Sequence, residues 1–370
     1  MKTTVWALIA LVAGYIAYRN WFASSAEEPG TKAPDLAVPE VEAPPVAETA
    51  PDEPAARPAL DLDVEGGAPP PPPRDEKAWE LDAERRRALA AGDEAKAREI
   101  ADTLLREHAA SDPARWVQVD LGREHLKRYA QLGRNAEGLQ HAREAWRRLT
   151  PALFRKDARE EERKQLRATL RQLSDMLLFG GRHIDGVDEP YAVRRGDNLS
   201  TLCDKVFPQR GSKVAPGLIV EVNQLGDARN LRAEETIRVP LGEPEIVVVK
   251  SEYRLYFLQN GCYVRDWPVG LGKEGSTPEA QFRVVEKIKN PDWNPRAGVT
   301  IPYGHPENIL GTRWMAFNNS AQYTGFGIHG TTEPTSIGKD ASSGCVRMLR
   351  ADVEQLFEWT PRGTAVRILR

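Results

Sequence analysis

Two side chains suited to acyl-transfer chemistry, His329 and Cys345, stand 16 positions apart near the C-terminus. A cysteine flanked by glycine and small residues exposes its sulfur and its backbone N–H, and a histidine on a neighbouring strand reaches that sulfur. A free cysteine has a pKa of ~8.5, so only a few per cent is thiolate at neutral pH. A nearby histidine either raises that fraction or takes the proton during attack.

Backbone donors for a developing negative charge are available in the same segment. The N–H groups of Gly344 and Cys345 are candidates for an oxyanion hole, in which one donor is worth ~3 kcal/mol. Spacing alone also fits a simpler alternative, because a buried cysteine and a structural histidine are common in proteins. The pattern therefore indicates Cys/His acyl transfer without deciding it.

Residues 244–370 contain the elements that must position these groups. The segment is rich in β-branched and aromatic residues, and Asn260-Gly261 is typical of a tight hairpin turn. One helix is expected at about Ala351–Trp359. Mostly antiparallel strands with one short helix predict a β-sandwich or an open barrel. The strand candidates are Ile246–Val249, Arg254–Leu258, Tyr263–Val269, Gln281–Ile288, Trp314–Asn318, Gly327–His329 and Ala365–Leu369.

The segment 329–347 resembles the signature of the L,D-transpeptidases of peptidoglycan, which is His-Gly-Thr, a spacer, and Ser-x-Gly-Cys-Val-Arg. Ala280 and Ile309 stand where that family usually has glycine and proline, and neither is expected to touch the nucleophile. The resemblance extends over residues 245–370. The further matching motifs are Leu255-Tyr256, Asn260-Gly261, Thr277-Pro278 through Phe282, Pro291-x-Trp293-x-Pro295, Asn308-x-Leu310-Gly311-Thr312-Arg313 and Gly363-Thr364-Ala365-Val366.

The resemblance implies a two-step acyl transfer. Cys345 attacks the amide after the third residue of a tetrapeptide stem, D-Ala leaves with a proton from His329, and an amine of a second stem attacks the thioester. The carbonyl of Gly330 is expected to hold the other imidazole N–H. No metal or organic cofactor is required, and acylation by carbapenems is expected.

Four other residues of the signature receive supporting roles from the same resemblance. Ser342 is expected to hydrogen-bond within the catalytic loop, and Ser343 and Gly344 are assigned to the oxyanion and substrate side of the site. Arg347 either supports the loop from below or faces a substrate carboxylate.

Residues 190–241 predict a small βααβ module in front of the catalytic domain. A strand at Tyr191–Val193 leads into a turn at 195–198, two helices follow, and Thr236–Pro240 forms a closing strand. The module resembles the lysin motif (LysM) in Tyr-x-Val-x-x-Gly-Asp-x-Leu at 191–199. Further resemblance lies in Ile219-x-x-x-Asn223 and Ile237-x-Val239-Pro240, whereas Phe207–Val214 looks like an insertion and Glu234-Glu235 replaces the usual glycine.

LysM domains bind glycan that contains N-acetylglucosamine, including peptidoglycan, and the resemblance implies a glycan groove here. Turn backbone groups would hydrogen-bond N-acetyl and hydroxyl groups, while one apolar side chain covers a sugar face. The alternative is that these residues only shape and cap turns. The predicted groove residues are Gly196, Asp197, Asn198 and Leu199 on one side, and Asn223, Gln224, Leu225 and Gly226 on the other.

Three further segments precede this module. Residues 1–23 contain an unbroken run of 16 uncharged, mostly apolar residues, Thr3–Tyr18, and predict a signal anchor or a signal peptide. Residues 24–73 hold 13 prolines and 11 carboxylates and predict a disordered linker. Residues 74–182 have apolar side chains at helical spacing and predict an α-helical region, with a helical repeat as one interpretation, used as a scaffold or as a protein-docking surface.

The amino-acid composition excludes some classes of partner and scaffold. The net charge is −3 and no segment is strongly basic, so no nucleic-acid partner is expected. Three cysteines exclude a dense disulfide scaffold, and no metal site is predicted. Cys203 and Cys262 are expected to be separate thiols, with a bridge between modules as the alternative.

The sequence therefore predicts a multidomain enzyme with an α-helical region, a small βααβ LysM module and a mostly antiparallel β catalytic domain of L,D-transpeptidase type. It is expected outside the cytoplasm, in the periplasm or cell wall, with stem peptides and glycan strands as partners and the membrane contacted by the N-terminal segment. One rival is a wall hydrolase or carboxypeptidase with the same Cys/His site. The other is a non-catalytic peptidoglycan-binding scaffold.

Overall fold

The computed structural model describes residues 75–109, 111–155, 158–296, 298–320 and 322–370. The predicted anchor or signal peptide at 1–23 and the predicted linker at 24–73 lie outside the described residues. Among the described residues, no helix has both the length and the apolar character needed to cross a membrane.

Five helices form the region before the small module, and local sequence signals account for their ends. Side-chain oxygens of Asp75, Asp93, Ser111 and Asn135 accept hydrogen bonds from the first turns of four of them. The connections between helices use glycines at φ of +77° and +71°, as turn positions require. The helices are α1 (Glu76–Ala90), α2 (Glu94–Glu107), α3 (Asp112–Leu132), α4 (Ala136–Leu149) and α5 (Glu160–Leu177), with a 3-10 turn at Thr150–Phe154.

Strands dominate residues 244–370, in agreement with the alternating pattern of the sequence. The strands are β3 (Pro244–Val249), β4 (Arg254–Gln259), β5 (Cys262–Pro268), β6 (Leu271–Gly272), β7 (Gln281–Lys289), β8 (Trp293–Arg296), β9 (Val299–Ile301), β10 (Arg313–Phe317), β11 (Gly327–Gly330), β12 (Asp340–Ser342), β13 (Val346–Met348) and β14 (Ala365–Leu369). The predicted helix forms as α8 (Arg350–Trp359) between β13 and β14.

Eight of these strands form one mixed sheet in the order β13-β11-β10-β7-β14-β3-β4-β5. Five of the seven neighbouring pairs are antiparallel, while β11/β13 and β14/β3 are parallel. Both faces of β4 are covered. Tyr256 packs edge-on against Phe154 of the helical region, whereas Phe257 packs against Trp359 of α8 on the other face.

The helical region covers β5, the last strand of this sheet. The indole Nε1–H of Trp146 donates to the carbonyl of Tyr263 at 2.7 Å, and the Tyr263 N–H donates to Thr150 Oγ1 at 3.0 Å. Ser174 Oγ donates to the carbonyl of Val264 at 3.0 Å. These contacts satisfy the edge groups that a neighbouring strand would otherwise bond, so helices α4 and α5 close this side of the catalytic sheet.

The small module forms the expected strand, helix, helix, strand order. Strands β1 (Asp188–Ala192) and β2 (Thr236–Pro240) pair antiparallel. Between them lie a helical turn, α6 (Leu199–Thr201), which continues as a π-helical turn, and α7 (Pro216–Val222). Glu221 of α7 accepts hydrogen bonds from Trp359 Nε1 and Gln355 Nε2 of α8. The module is therefore docked on the catalytic domain, and its removal would expose apolar surface there.

Candidate active site

Strands β11 and β13 bring the two predicted reactive residues onto one face of the sheet. They pair in parallel, with His329 opposite Arg347 and Ile328 opposite Val346. Side chains alternate between faces along a strand, so Cys345, two positions before Arg347, is expected on the same face as His329. Short turns alone could not bring residues 16 positions apart together in this way, because a parallel pair requires the intervening chain to cross over.

The imidazole of His329 is buried and held in one orientation. Its Nδ1 lies 2.5 Å from the carbonyl oxygen of Gly330. A carbonyl oxygen only accepts hydrogen bonds, so Nδ1 carries the proton and Nε2 presents its lone pair. Trp314 lies opposite His329 on β10, with ring centroids 5.9 Å apart. The ring therefore has a defined tautomer, with one nitrogen available to accept a proton.

Burial lowers the pKa of His329 to about 4, and the positive charge of Arg347 acts in the same direction. Burial also raises the pKa of the Cys345 thiol, although a backbone hydrogen bond from Gly327 and the charge of Arg347 oppose this shift. Both directions favour a neutral thiol beside a neutral imidazole. Of the two roles that the sequence left open, the site favours proton transfer to histidine during attack over a preformed thiolate.

The loop before β13 is tied by the side chain of Ser342. Its Oγ donates to the carbonyl of Cys345 at 2.7 Å and accepts the Gly344 N–H at 3.1 Å. This bond occupies the Gly344 N–H in this arrangement, and its role as an oxyanion donor stays a prediction. Ser343 is exposed beside the loop, and no bonded role for it emerges among the described residues.

Gly344 itself is required by the backbone. Its φ is +130°, and a Cβ there would lie 2.5 Å from a ring carbon of Phe326. Gly272 approaches from β6, where a Cβ would come within 2.7 Å of the Gly344 Cα. The loop is packed too closely for side chains at either position, which leaves Cys345 half-buried at its end.

Arg347 is nine-tenths buried beside His329. Its Nη1 lies 3.5 Å from a carboxylate oxygen of Glu333, whose side chain is 69% exposed. Among the described residues, the buried Arg347 Nε has no hydrogen-bond partner. The sequence left Arg347 as either a loop support or a carboxylate-binding group. The backbone of Arg347 is fixed in the pairing of β13 with β11, and its guanidinium has an unused hydrogen-bond donor.

A cavity of about 430 Å³ opens next to Gly330, the residue that holds His329. Residue spacing did not predict most of its lining, because the loop after β9 and the first residue of α8 reach it from distant parts of the chain. His305 lies on its wall. The lining is Tyr303, Gly304, His305, Pro306, Asn308, Gly311, Thr312, Gly330, Thr331, Thr332 and Arg350.

Two of the predicted glycan-groove residues have structural contacts. Leu199 is 2% exposed and packs in the core, and its place in the groove wall stays a prediction. The Asn223 amide donates to the carbonyls of Ile219 and Arg238 and accepts the Arg238 N–H. Its side chain fastens α7 to β2, and its assignment to the glycan groove stays a prediction.

The opposite turn keeps more of its surface available. Asp197 accepts hydrogen bonds from Tyr191 and the Arg194 N–H, and Asn198 caps the following helix through the Thr201 N–H. Gly196 is exposed at φ +93° with nothing within 4 Å of a built Cβ. The turn-shaping alternative thus accounts for these side chains, while the turn backbone at Gly196 stays accessible.

The remaining cysteines do not form a bridge. Cys203 and Cys262 are free, buried thiols, and burial raises the pKa of each to about 12. Such thiols are poor nucleophiles. Cys345 differs from both in being half-buried rather than buried. Within the described residues, no three His, Cys, Asp or Glu side chains converge as ligands for a metal ion.

Comparison with known proteins identifies the C-terminal domain. Residues 243–368 match the model of the YkuD family, an L,D-transpeptidase catalytic domain. The chain is 36% identical over 129 residues to the putative L,D-transpeptidase YqjB of Bacillus subtilis, a match that covers 34% of this chain and 72% of that protein. The predicted catalytic family is thereby confirmed.

A second relative extends the likeness upstream. The putative L,D-transpeptidase YkuD of Bacillus subtilis is 29% identical over 187 residues, which cover 49% of this chain and 98% of that protein. Residues 243–370 are only about a third of the chain, so this match reaches into the region before the catalytic domain. Among solved structures, an L,D-transpeptidase from Mycobacterium smegmatis is similar at 17% identity and a TM-score of 0.30, over 37% of this chain and 64% of that one.

Proposed function

The chain belongs to the L,D-transpeptidase family of enzymes, and we propose that it transfers acyl groups between peptidoglycan stems through a thioester on Cys345. The observation that carries this proposal is the state of His329. Its Nδ1–H is bonded to Gly330, so Nε2 is left as a proton acceptor on the face expected for Cys345. A neutral base next to a neutral thiol is the arrangement that general-base attack requires.

The reaction then runs in two balanced steps. In the first, Sγ of Cys345 bonds to the carbonyl carbon of the third stem residue while its proton moves to His329 Nε2. The amide bond to D-Ala breaks, and the departing amine takes the proton from His329. In the second step an amine of another stem attacks the thioester, His329 accepts the amine proton, and the sulfur leaves and recovers that proton.

The Cys345 N–H is the oxyanion donor that we propose for both steps, since the Gly344 N–H is bonded to Ser342. Ser342 serves this donor indirectly, because its bonds to both flanking backbone groups hold the loop in shape. Removing one such donor in a preorganised site costs about 3 kcal/mol of transition-state stabilisation. The carbonyl of Gly330 takes the orienting role that a carboxylate has in other Cys/His sites.

We also propose that residues 190–241 are a LysM module that holds glycan near the active site. The support is the βααβ order with paired terminal strands, together with the accessible turn at Gly196 and Asn198. The contacts assigned to glycan are backbone groups of the turns at 195–198 and 224–226. The docking of α7 on α8 fixes this module relative to the catalytic domain. A glycan strand bound by the module would therefore lie at a constant distance from the active site.

The site of action that fits this chemistry is outside the cytoplasm, where peptidoglycan lies. The predicted anchor at 1–23 would keep the enzyme at the membrane, and the linker at 24–73 would span the distance to the wall. The same cysteine chemistry makes carbapenems suitable probes, because opening of a β-lactam ring on Cys345 would trap the acyl-enzyme.

The decisive experiment is mass spectrometry of peptidoglycan fragments after incubation with the full chain. Disaccharide-tetrapeptides should yield crosslinked dimers together with one free D-Ala for each crosslink. The Cys345→Ser variant should yield neither, whereas the Cys262→Ser variant serves as a matched control and should behave as wild type. Release of D-Ala with tripeptide as the only other product would instead establish a carboxypeptidase. Binding without any product would leave the scaffold alternative.

A further inference from the structure

Glu333 and Arg347 form an ion pair near the predicted reactive residues, and the two side chains differ in burial. Arg347 is nine-tenths buried, and both its backbone N–H and its carbonyl bond to Gly270. Glu333 is 69% exposed, and the two charged groups are 3.5 Å apart. Arg347 is thus fixed in the protein, whereas the side chain of Glu333 is mostly exposed to solvent and makes a weak ion pair with it.

The backbone of Glu333 is anchored even though its side chain is exposed. Its carbonyl accepts the hydroxyl of Ser336 at 2.6 Å and the Ser336 N–H at 3.0 Å. Its N–H donates to Thr331 Oγ1 at 3.0 Å. The carboxylate is therefore carried on a rigid turn by rotatable side-chain bonds, so it can leave Arg347 without any movement of the main chain.

The guanidinium has donor capacity that the ion pair does not use. Among the described residues its buried Nε has no hydrogen-bond partner, and a buried unpaired donor is costly. A guanidinium binds a carboxylate best through two parallel N–H donors. A single oxygen at 3.5 Å falls short of that geometry, so a better-placed carboxylate would displace Glu333.

The position of Arg347 fits a carboxylate close to the scissile bond. It follows Cys345 by two residues on the same face, about 6.6 Å along an extended strand. In a tetrapeptide stem, the carboxylate of the terminal D-Ala is three bonds beyond the carbonyl carbon that Cys345 attacks. The carboxylate on the side chain of a diamino acid lies on the other side of that carbon.

We propose that Arg347 recognises the free carboxylate of the donor stem, and that Glu333 occupies Arg347 in its absence as an exchangeable internal carboxylate. This inference rests on the proposed function, because it concerns the donor of that reaction. Stems that carry the carboxylate must displace Glu333 from Arg347, whereas stems that lack it leave the Glu333–Arg347 pair in place. The terminal D-Ala carboxylate is the source that the distances favour.

Equilibrium binding to inactive full-length protein tests this proposal without turnover. The background is Cys345→Ala, and the probes are three peptides: the free-acid tetrapeptide, the same peptide with an amidated D-Ala carboxyl group, and one amidated on the diamino acid. Glu333→Gln should tighten binding of the free acid about two- to fivefold, because an exposed pair is worth roughly 0.2–1 kcal/mol. It should leave binding of the D-Ala amide unchanged.

Two further variants complete the design. Arg347→Gln should weaken free-acid binding about tenfold or more, to the level of the D-Ala amide, as expected for a lost charged hydrogen bond. Glu245→Gln is the matched control, because Glu245 pairs with Arg367 at 3.0 Å four strands away from β11. It should change none of the three affinities.

The proposal is overturned if Glu333→Gln changes no affinity, or if it tightens acid and amide equally. Equal weakening of acid and amide by Arg347→Gln would make Arg347 a purely structural residue. Discrimination only against the peptide amidated on the diamino acid would reassign the recognised carboxylate and overturn the D-Ala assignment. If Arg347→Gln fails to fold, the Glu333→Gln arm decides alone. Absence of crosslinking by wild type, with these affinity differences intact, would refute the proposed function and leave this inference standing.

Discussion

The segment 327–347 and the turns of the module at 190–241 both carry polar residues at motif spacing, but their side chains end in different states. In the first segment His329 keeps one ring nitrogen without a partner among the described residues, and half-buried Cys345 donates its thiol to the carbonyl of Gly325 at a long 3.7 Å. In the module, Asn223 makes three internal hydrogen bonds and Leu199 is buried in the core. A residue at motif spacing is thus a candidate for catalysis or ligand binding only if its hydrogen-bonding groups are not already used inside the protein.

The two regions also differ in how their glycines are used. Gly344 and Gly272 permit backbones to approach so closely that a Cβ on either would clash. Gly196 has open space around it and serves only the sharp turn at φ +93°. Close packing holds the backbone of the loop before Cys345 in place, whereas the open turn leaves its backbone groups accessible to a ligand. The four predictions below test this contrast.

The largest effect is expected at the nucleophile. Cys345→Ser should reduce turnover of disaccharide-tetrapeptide by about 10³-fold or more, because the serine hydroxyl is far less acidic and a histidine oriented by a carbonyl activates it weakly. Cys203→Ser, which changes a buried thiol of raised pKa, should leave turnover within about twofold of wild type. Circular dichroism confirms folding of both variants. A folded Cys345→Ser protein with near wild-type turnover would show that Cys345 is not the nucleophile.

The next effect concerns the proton acceptor. His329→Ala should lower kcat/KM by about 10²–10⁴-fold, the usual range for loss of a general base. Because burial lowers the pKa of His329 to about 4, the neutral imidazole persists as pH falls from neutrality to that value. In wild type, kcat/KM should therefore stay nearly flat down to about pH 5 and decline as the histidine protonates. An acid limb centred near 6.5, the ordinary histidine value, would contradict the buried setting.

A smaller, purely structural effect is expected in the module. Leu199→Ala should lower the free energy of unfolding by about 2–5 kcal/mol, because a buried leucine is truncated. Turnover of a short soluble stem by the folded fraction should change little. Ser200→Ala, an exposed neighbour, is the control and should be near neutral in denaturant unfolding. If Leu199→Ala weakened binding to sacculi without lowering stability, Leu199 would contribute to the glycan groove and the structural explanation would be wrong.

The smallest effect is expected at the accessible turn. Gly196→Asp should weaken binding of the full chain to sacculi by about two- to tenfold, the range for one hydrogen bond. Gly211→Asp is the matched control, because Gly211 is also exposed at positive φ with nothing near its Cβ but lies on the connection between the helices. N-acetylglucosamine oligomers should compete with sacculi for wild type. Equal losses in both variants would indicate strain rather than glycan contact.

Local signals predicted much of the fold. Ser111 before Asp112-Pro113 marks the start of a helix, and the structure has Ser111 as its N-cap. The hairpin at Asn260-Gly261, the helix before the last strand and the βααβ order all follow from side-chain period and turn chemistry. These features depend on residues close in sequence, so the chain itself carries enough information for them.

The bonding state of the site did not follow from local signals. Whether the Gly344 N–H is free depends on the rotamer of Ser342, and the lining of the cavity by Tyr303 and Arg350 depends on how two distant segments fold back. The cover of β5 by Trp146 and Ser174 joins residues about 90 to 117 positions apart. No periodicity encodes such pairs.

By itself, the sequence predicted which residues carry the chemistry, because a cysteine and a histidine in this motif have few substitutes. Tertiary structure decided which of their neighbours remain available. Burial sets the direction of the His329 and Cys345 pKa shifts, and packing gives Asn223 and Leu199 structural contacts and pairs the buried Arg347 with the exposed Glu333. The physical reason is that desolvation and hydrogen-bond saturation are properties of a packed environment, which segments distant along the chain create together.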